Sequence, residues 1–355
     1  MNFSDNLISW YFQHKRNLPW RSTTDVYLIW VSEVILQQTR VDQGLAYYER
    51  IVAKYPDIFS LAAAREEDLL KLWQGLGYYT RARNLLRAAK EIVADYDGVF
   101  PQSYDQVIKI RGIGKYTASA VLSFAYNMPY PVMDGNVKRV LSRYFGLNGD
   151  IAYAATNKVL ESKLQKVFDK KRPSDFNQAI MEFGALQCKV NNPECEKCVL
   201  KDGCRAFKED MVAVLPVKSK RTSVKTRYFY YLVPWQKVRG QKYTFLQRRE
   251  KQDIWKHLFQ FPLIETAKKF SWNRIAASAE FKDFLKNNPY EVLAISPVYS
   301  HKLSHQTIYA VFVQLEVFSV LSGEKLFKVS AKNLKNYPTS RLIEKYLDEH
   351  VFADI

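Results

Sequence analysis

Four cysteines fall within 17 residues, spaced Cys188-x6-Cys195-x2-Cys198-x5-Cys204, and the chain has no others. Thiolates this close in sequence can close round one metal centre, and both zinc and a [4Fe–4S] cluster accept four cysteines. Zinc sites usually pair two C-x-x-C knuckles, whereas only one pair here has that gap. Lys189, Lys197, Lys201 and Arg205 stud the loop, so its outer face suits phosphates. Two carboxyls have surroundings that suit complementary roles. Glu33 sits in Ile29-Trp30-Val31-Ser32-Glu33-Val34-Ile35-Leu36. A carboxyl among apolar groups is poorly solvated, so its pKa rises and it stays protonated near neutral pH, as a general acid must. A solvent-facing glutamate on an amphipathic helix would show a similar pattern. Asp134 precedes Gly135-Asn136-Val137-Lys138-Arg139-Val140, at or just before a helix N-terminus. Free N–H groups and the helix dipole there favour the ionised form, although a plain cap fits the same residues. Together these environments push two pKa values apart, as an acid and a stabilising anion require. Cleavage of an N-glycosidic bond needs such a pair. The acid neutralises the departing base, and the anion stabilises an oxocarbenium-like sugar.

The elements that must carry these groups are helices. Over residues 1–215 apolar positions recur at three- and four-residue spacing, as in Leu28-Val31-Ile35, Leu69-Leu72-Trp73, Leu85-Ala88-Ala89-Ile92 and Ala120-Val121-Phe124. Ser103 is expected to cap a helix over Tyr104–Ile108. Between two helical stretches, Ile110-Arg111-Gly112-Ile113-Gly114-Lys115 forms a turn. Gly112 and Gly114 let it tighten and bring backbone N–H groups close to a phosphate. Pro216–Arg227 holds five basic residues and no acidic one, and is expected to be an exposed linker, either lying along phosphates or simply solvated. Beyond it, alternation over Tyr228–Pro234, Tyr243–Gln247 and Thr307–Val317 predicts strands, with helices near Asn273–Lys286 and Ser340–Asp348. The expected organisation is thus a mainly α-helical domain over 1–215, a basic linker over 216–227 and an α+β domain over 228–355.

Bulk properties narrow the partners. The chain has 355 residues, enough for two cores, and Lys plus Arg exceed Asp plus Glu by 53 − 36 = 17. So basic a chain favours polyanions, and its 23 Tyr, 21 Phe and 7 Trp suit stacking among bases as well as packing a core. Val26–Leu36 is too short, and too interrupted by Ser32 and Glu33, to span a membrane. The N-terminus has no secretory pattern, so a reducing, cytoplasmic location is expected, with the nucleoid as the site of action in a bacterium.

These residues resemble the adenine DNA glycosylase family, within the endonuclease III superfamily of helix-hairpin-helix enzymes. The resemblance runs over nearly the whole chain. It is carried by Leu18-Pro19-Trp20, Ser32–Thr39, Leu72–Tyr79, Arg81–Leu85, Asp134–Val140, Phe176–Ala179 and the cysteine loop, with the glycine turn as the hairpin. The family often has proline where Arg111 stands. The resemblance implies that Cys188, Cys195, Cys198 and Cys204 hold a [4Fe–4S] cluster. It implies that Glu33 protonates N7 of adenine and helps to activate water, and that Asp134 stabilises the cationic sugar or bonds to it transiently. Asn136 and Tyr116 would support that chemistry, Gln38 and Tyr78 would enter the duplex where adenine is flipped out, and Gln178 would contact the adenine pocket. Bifunctional endonuclease III has a Schiff-base lysine directly before the hairpin-helix Thr; here Tyr116 precedes Thr117 and Lys115 is expected to point elsewhere, which implies a monofunctional enzyme.

Gln247-Arg248-Arg249, Trp255 and Phe259-Gln260-Phe261-Pro262 resemble the Nudix-like C-terminal domain of the same family. The acidic metal-binding helix pattern is missing after Pro262, so pyrophosphate hydrolysis is not expected. In the family a Phe-Ser-His loop checks for 8-oxoguanine opposite adenine. Ser304 and His305 match it, and Leu303 replaces the phenylalanine. The implied partner is double-stranded DNA containing A:8-oxoguanine or A:G, met by a monomer without membrane association.

Overall fold

The computed structural model describes residues 2–219, 224–286, 288–319, 321 and 325–350. The chain divides into two compact units, one of Met1–Ala64 and Arg83–Lys220, the other of Arg65–Ala82 and Arg221–Ile355. Segment 65–82, placed by sequence inside the helical domain, groups with the C-terminal residues.

The helices in chain order are α1 (Phe3–His14), α2 (Val26–Leu36), α3 (Val41–Lys54), α4 (Ile58–Ala62), α5 (Glu66–Leu72) and α6 (Thr80–Tyr96). They continue with α7 (Tyr104–Val107), α8 (Lys115–Tyr126), α9 (Gly135–Phe145), α10 (Ala154–Val167), α11 (Pro173–Leu186) and α12 (Arg205–Lys208). Helix α5 and the first turn of α6 belong to the second unit. In the first unit, Asp25 caps α2 by accepting the N–H groups of Tyr27 and Leu28. Eight of the eleven residues of α2 are buried, Glu33 among them. That leaves it no solvent-facing stripe of the kind an amphipathic helix needs. Helices α1, α9, α10 and α11 share a core that includes Leu7, Val140, Leu164, Phe176 and Phe183. At Gly184 a β-carbon would come within 2.7 Å of the Asn136 side chain, so the missing side chain lets α11 approach α9 closely. Ser103 occupies the cap position of α7 but makes no side-chain capping bond. Among the described residues no helix is long and apolar enough to cross a membrane.

The second unit is built on β1 (Lys225–Val238), β2 (Gln241–Arg248), β3 (Phe259–Gln260), β4 (Leu263–Thr266), β5 (Tyr290–Ile295), β6 (Tyr299–Lys302), β7 (Gln306–Val317) and β8 (Leu326–Ser330). They form one mixed sheet, ordered β3-β2-β1-β7-β5, with β4 beside β1, β6 beside β7 and β8 beside β2. Among the described strands only β1 and β7 pair in parallel, and an isolated parallel bridge joins Phe259 to Thr339. Helices α13 (Trp272–Ala276) and α14 (Ala279–Leu285) contribute Ile275, Phe281 and Leu285 to a core with Tyr230, Phe245 and Leu315. Helix α15 (Arg341–His350) covers another core, where Tyr346 stacks on Phe312 at 3.9 Å. Within this unit, Glu66 of α5 accepts a hydrogen bond from Arg248 at 3.0 Å and meets His257 Nδ1 at 2.5 Å.

The stretch 216–227 is only partly a linker. Lys220–Ser223 lies outside the described residues, and β1 begins at Lys225. Arg227, read as a tether cation, is buried and paired with Asp253 at 2.6 Å and Glu265 at 2.7 Å. Those partners lie 26 and 38 residues along the chain, so local composition could not show them.

Candidate active site

A cleft of about 1330 Å³ opens in the first unit. Its lining includes Glu33, Tyr116, Asp134, Asn136 and Gln178, with Gln38, Gly112 and Gly114 also on its walls. Glu33 lies near the end of α2, and Tyr116 lies in the first turn of α8, which packs on α2. A second tie joins the two helices where the Gln37 amide donates to Thr117 Oγ1 at 3.1 Å. Glu33 is only 5% exposed. Burial raises its carboxyl to about 7 against a hydrogen bond from Tyr116, with the Asp134 charge raising it further and Arg21 lowering it. The Tyr116 phenol is pushed well above its usual value, first by burial and then by the two carboxylates. It therefore stays a donor to Glu33.

Asp134 caps α9: one carboxylate oxygen accepts Val137 N–H at 2.8 Å, and the other accepts the Asn136 amide at 2.8 Å. The cap expected from sequence is present, but burial outweighs its electrostatic effect. Burial raises the Asp134 carboxyl above its ordinary value despite the bonds from Val137 and Asn136 and the charge of Arg139. Both carboxyls are thus raised, because the cleft desolvates both and a cap relieves only part of that cost. Asn136 is held in turn by Arg139, whose guanidinium donates to Asn136 Oδ1 at 2.9 Å, to the Gly184 carbonyl at 2.6 Å and to the Cys188 carbonyl at 2.8 Å.

The turn after α7 behaves as its glycines demand. Gly112 has φ +90°, and a β-carbon there would meet the Asn84 side chain at 2.6 Å. Gly114 precedes α8 with open space about its α-carbon and no side-chain cap, which leaves the first N–H groups of α8 accessible to an anion. Lys115, expected to point elsewhere, also lines the cleft, because it is the first residue of α8 and stands beside Tyr116 on the wall. Gln38 is exposed at the end of α2 with φ +56°. Tyr78 belongs to the second unit, is 49% exposed and has φ +48°. Left-handed backbone at two non-glycine residues costs of order 1–3 kcal/mol each. Gln178 accepts the Tyr11 hydroxyl at 2.9 Å and donates to Ser174 at 3.1 Å.

Sequence reasoning missed the cluster behind Gln178. Glu182 is buried in α11 and takes a two-pronged bond from Arg21, at 2.8 Å on each oxygen, together with three from Arg16. Burial pushes its carboxyl up, but the bonds from Arg21 and Arg16 prevail and hold it at about 2. Two cations on one anion leave net positive charge on the cleft wall. The only sequence signal was the nearness of Arg21 to the Leu18-Pro19-Trp20 motif.

The four cysteines line one cavity in the same unit with Arg143, Tyr144 and Phe183. Leu200 N–H donates to Cys198 Sγ at 3.4 Å, and Arg143 donates to Cys188 Sγ at 3.4 Å. Donors of this kind suit thiolate sulfur. Among the described residues no three ligating side chains converge tightly enough to hold a single ion. A zinc ion at about 2.3 Å from each sulfur would draw the sulfurs to about 3.8 Å from one another. The four thiols share one cavity, as the ligands of a single centre must.

Ser304 and His305 form the exposed tip between β6 and β7, in the second unit. Leu303 N–H donates to the Gln306 carbonyl at 2.8 Å and closes the turn. Ser304 Oγ lies 3.2 Å from His305 Nδ1. Leu303 packs against the core beneath α15, so it anchors the turn rather than projecting from it.

Comparison with known proteins agrees with this arrangement. Residues 31–168 match the family described as HhH-GPD superfamily base excision DNA repair protein. A thermostable thymine-DNA glycosylase superposes with a TM-score of 0.53 and 27% identity, over 58% of this chain and 95% of its own. Endonuclease III, in a trapped covalent intermediate with DNA, gives a TM-score of 0.51 at 24% identity over 58% and 94%, a likeness of fold alone. The helical fold and its cleft are those of a base-excision DNA glycosylase of the helix-hairpin-helix class. The adenine DNA glycosylase of Buchnera aphidicola subsp. Baizongia pistaciae is 34% identical over 345 residues, 94% of this chain and 92% of that protein. The chain belongs to the adenine DNA glycosylase family, and it is a glycosylase enzyme.

Proposed function

We propose that this enzyme hydrolyses the N-glycosidic bond of adenine opposite 8-oxoguanine or guanine in duplex DNA. The observation that carries this reading is the buried, protonatable Glu33, bonded to Tyr116 in the cleft that also holds Asp134. Adenine leaves the stack to reach the cleft, with Gln38 and Tyr78 filling the duplex behind it. Glu33 gives its proton to N7, and the C1′–N9 bond breaks with its electron pair going to the base. The resulting oxocarbenium is stabilised by the Asp134 carboxylate, which Asn136 orients. Water adds to C1′ and its proton passes to the Glu33 carboxylate, restoring the acid. Gln178, fixed by Tyr11 and Ser174, offers amide contacts to the base.

The Ser304–His305 turn is the proposed reader of 8-oxoguanine, on a Nudix-like domain without pyrophosphatase chemistry. The protein acts as a monomer. The test is base release from labelled duplexes. Adenine should be released from A:8-oxoguanine, more slowly from A:G and not from A:T; excision of oxidised pyrimidines with no adenine release would overturn the proposal.

Cys188, Cys195, Cys198 and Cys204 would hold a [4Fe–4S] cluster, which supplies structure rather than acid–base chemistry. Arg143 and the Leu200 N–H would stabilise its thiolates. Cys198→Ser is expected to lower iron content, visible absorbance and DNA binding together. A variant that stays folded, binds DNA normally and still releases adenine would remove the supporting role.

The position of Lys115 on the cleft wall favours one further reading, a strand-cleaving lyase that forms a Schiff base. Borohydride trapping separates the two: a covalent DNA adduct formed by wild type and lost in Lys115→Ala supports the lyase.

A further inference from the structure

The second unit carries an aromatic surface that the proposed chemistry does not use. Tyr228 of β1 and Tyr309 of β7 are partners in the parallel pair, and their rings stack at 5.6 Å with 21° between planes. They stand at the margin of the core formed with α13 and α14: Tyr228 packs against it, and Tyr309 is 36% exposed. Their cross-strand neighbours are short. Thr266 lies opposite Tyr228 on β4, and Ser300 lies opposite Tyr309 on β6. Neither reaches far enough to cover an outer ring face. One row further along, exposed Lys302 lies opposite Thr307, itself the partner of Thr226. These seven residues include no carboxylate, and exposed Lys268 and Lys269 follow β4. From Tyr309 the strip runs four residues, roughly 13 Å, to the Ser304–His305 tip.

We infer that this strip binds an unpaired stretch of DNA, with a base stacked on the tyrosine pair and a phosphate on Lys302. A core-edge tyrosine pair needs neither open outer faces nor a rim of one charge sign. Duplex DNA hides its ring faces, so an aromatic platform of this kind suits unpaired nucleotides. Charge complementarity selects the ligand class: the strip is cationic, in a chain of net charge +17 that belongs to a DNA-repair family. The site needs no lesion and does not depend on adenine being the excised base.

The experiment uses the full-length protein and a labelled oligothymidylate of about 12 nucleotides, which contains no adenine, read by fluorescence anisotropy across a salt series. Tyr309→Ala should weaken binding about tenfold, the loss of one stacked base, while Tyr309→Phe keeps the ring and the affinity. Lys302→Ala should make the slope of log affinity against log salt shallower by about 0.7, one phosphate contact to a single strand. Lys302 is exposed, so its variant decides the matter if Tyr309→Ala is misfolded by circular dichroism. Affinity and slope as in wild type for folded Tyr309→Ala and for Lys302→Ala would overturn the inference. So would Tyr309→Phe binding as weakly as Tyr309→Ala. Adenine release is measured separately: a wild type that releases none, yet loses oligothymidylate binding on Tyr309→Ala, sinks the catalytic proposal and leaves this one standing.

Discussion

Glu33→Gln should lower single-turnover base release by a factor on the order of 10²–10⁴, the usual contribution of a positioned general acid. Glutamine fills the same volume and still accepts the Tyr116 hydroxyl, so DNA affinity should hold. Wild-type activity should also fall as pH rises through about 7, where Glu33 loses the proton it must deliver. The same shift acts on stability, and its sign follows from where the proton sits. The folded-state value of about 7 lies above the ordinary 4.5, so folding favours protonated Glu33. That contribution is intact below the ordinary value and is lost as pH rises through about 7, where a buried carboxylate must ionise. Glutamine has no such loss. The stability of Glu33→Gln relative to wild type should therefore grow by about 2–3 kcal/mol between about pH 5 and pH 8 in denaturant titrations. A difference that stayed flat with pH, or a variant as active as wild type, would show that Glu33 is not the buried acid.

Asp134→Asn should cost roughly 10²–10³ in base release, because it removes the negative charge facing the developing cation while keeping the shape. Asparagine caps helices about as well as aspartate, so α9 should be disturbed by no more than a few tenths of a kcal/mol. This separates the charge from the cap. The pH profile adds a second reading. Burial raises Asp134, so wild-type activity should climb on the acid side as Asp134 ionises and fall on the alkaline side as Glu33 does, giving a bell. The two groups feel each other, so the limbs report the pair. Asp134→Asn should lose the acid limb. A variant with the full wild-type bell would remove Asp134 from the chemistry.

How far such a site is legible in sequence depends on the range of the forces involved. The cap at Asp134 is local, three residues from the N–H it accepts, and was readable. So were the strands over Tyr228–Pro234 and Thr307–Val317, although only the second alternates in burial; the first is buried on both faces of the sheet. The raised titration of Glu33 was readable from its apolar neighbours, but that of Asp134 was not, since the burial that raises it comes from the whole cleft. The solvent-facing alternative for Glu33 falls because α2 is buried nearly all round, a property of its neighbours rather than of its own residues. Arg227 looked like a tether cation because its carboxylate partners are remote. Glu182 escaped notice for a similar reason: Arg16 and Arg21 sit 166 and 161 residues before it.

The second unit is assembled from two stretches of chain separated by residues 83–220. Synthesis must therefore produce Arg65–Ala82 long before β1 exists to receive it. At about 5–20 residues per second, the 142 residues between Ala82 and Lys225 take roughly 7–30 s to translate. Glu66 of this segment finds Arg248 and His257 only when that later stretch has been made, so for that interval the second unit lacks the partners that tie its two pieces together. Its completion in the cell should then follow the pace of the ribosome more closely than that of a contiguous domain would.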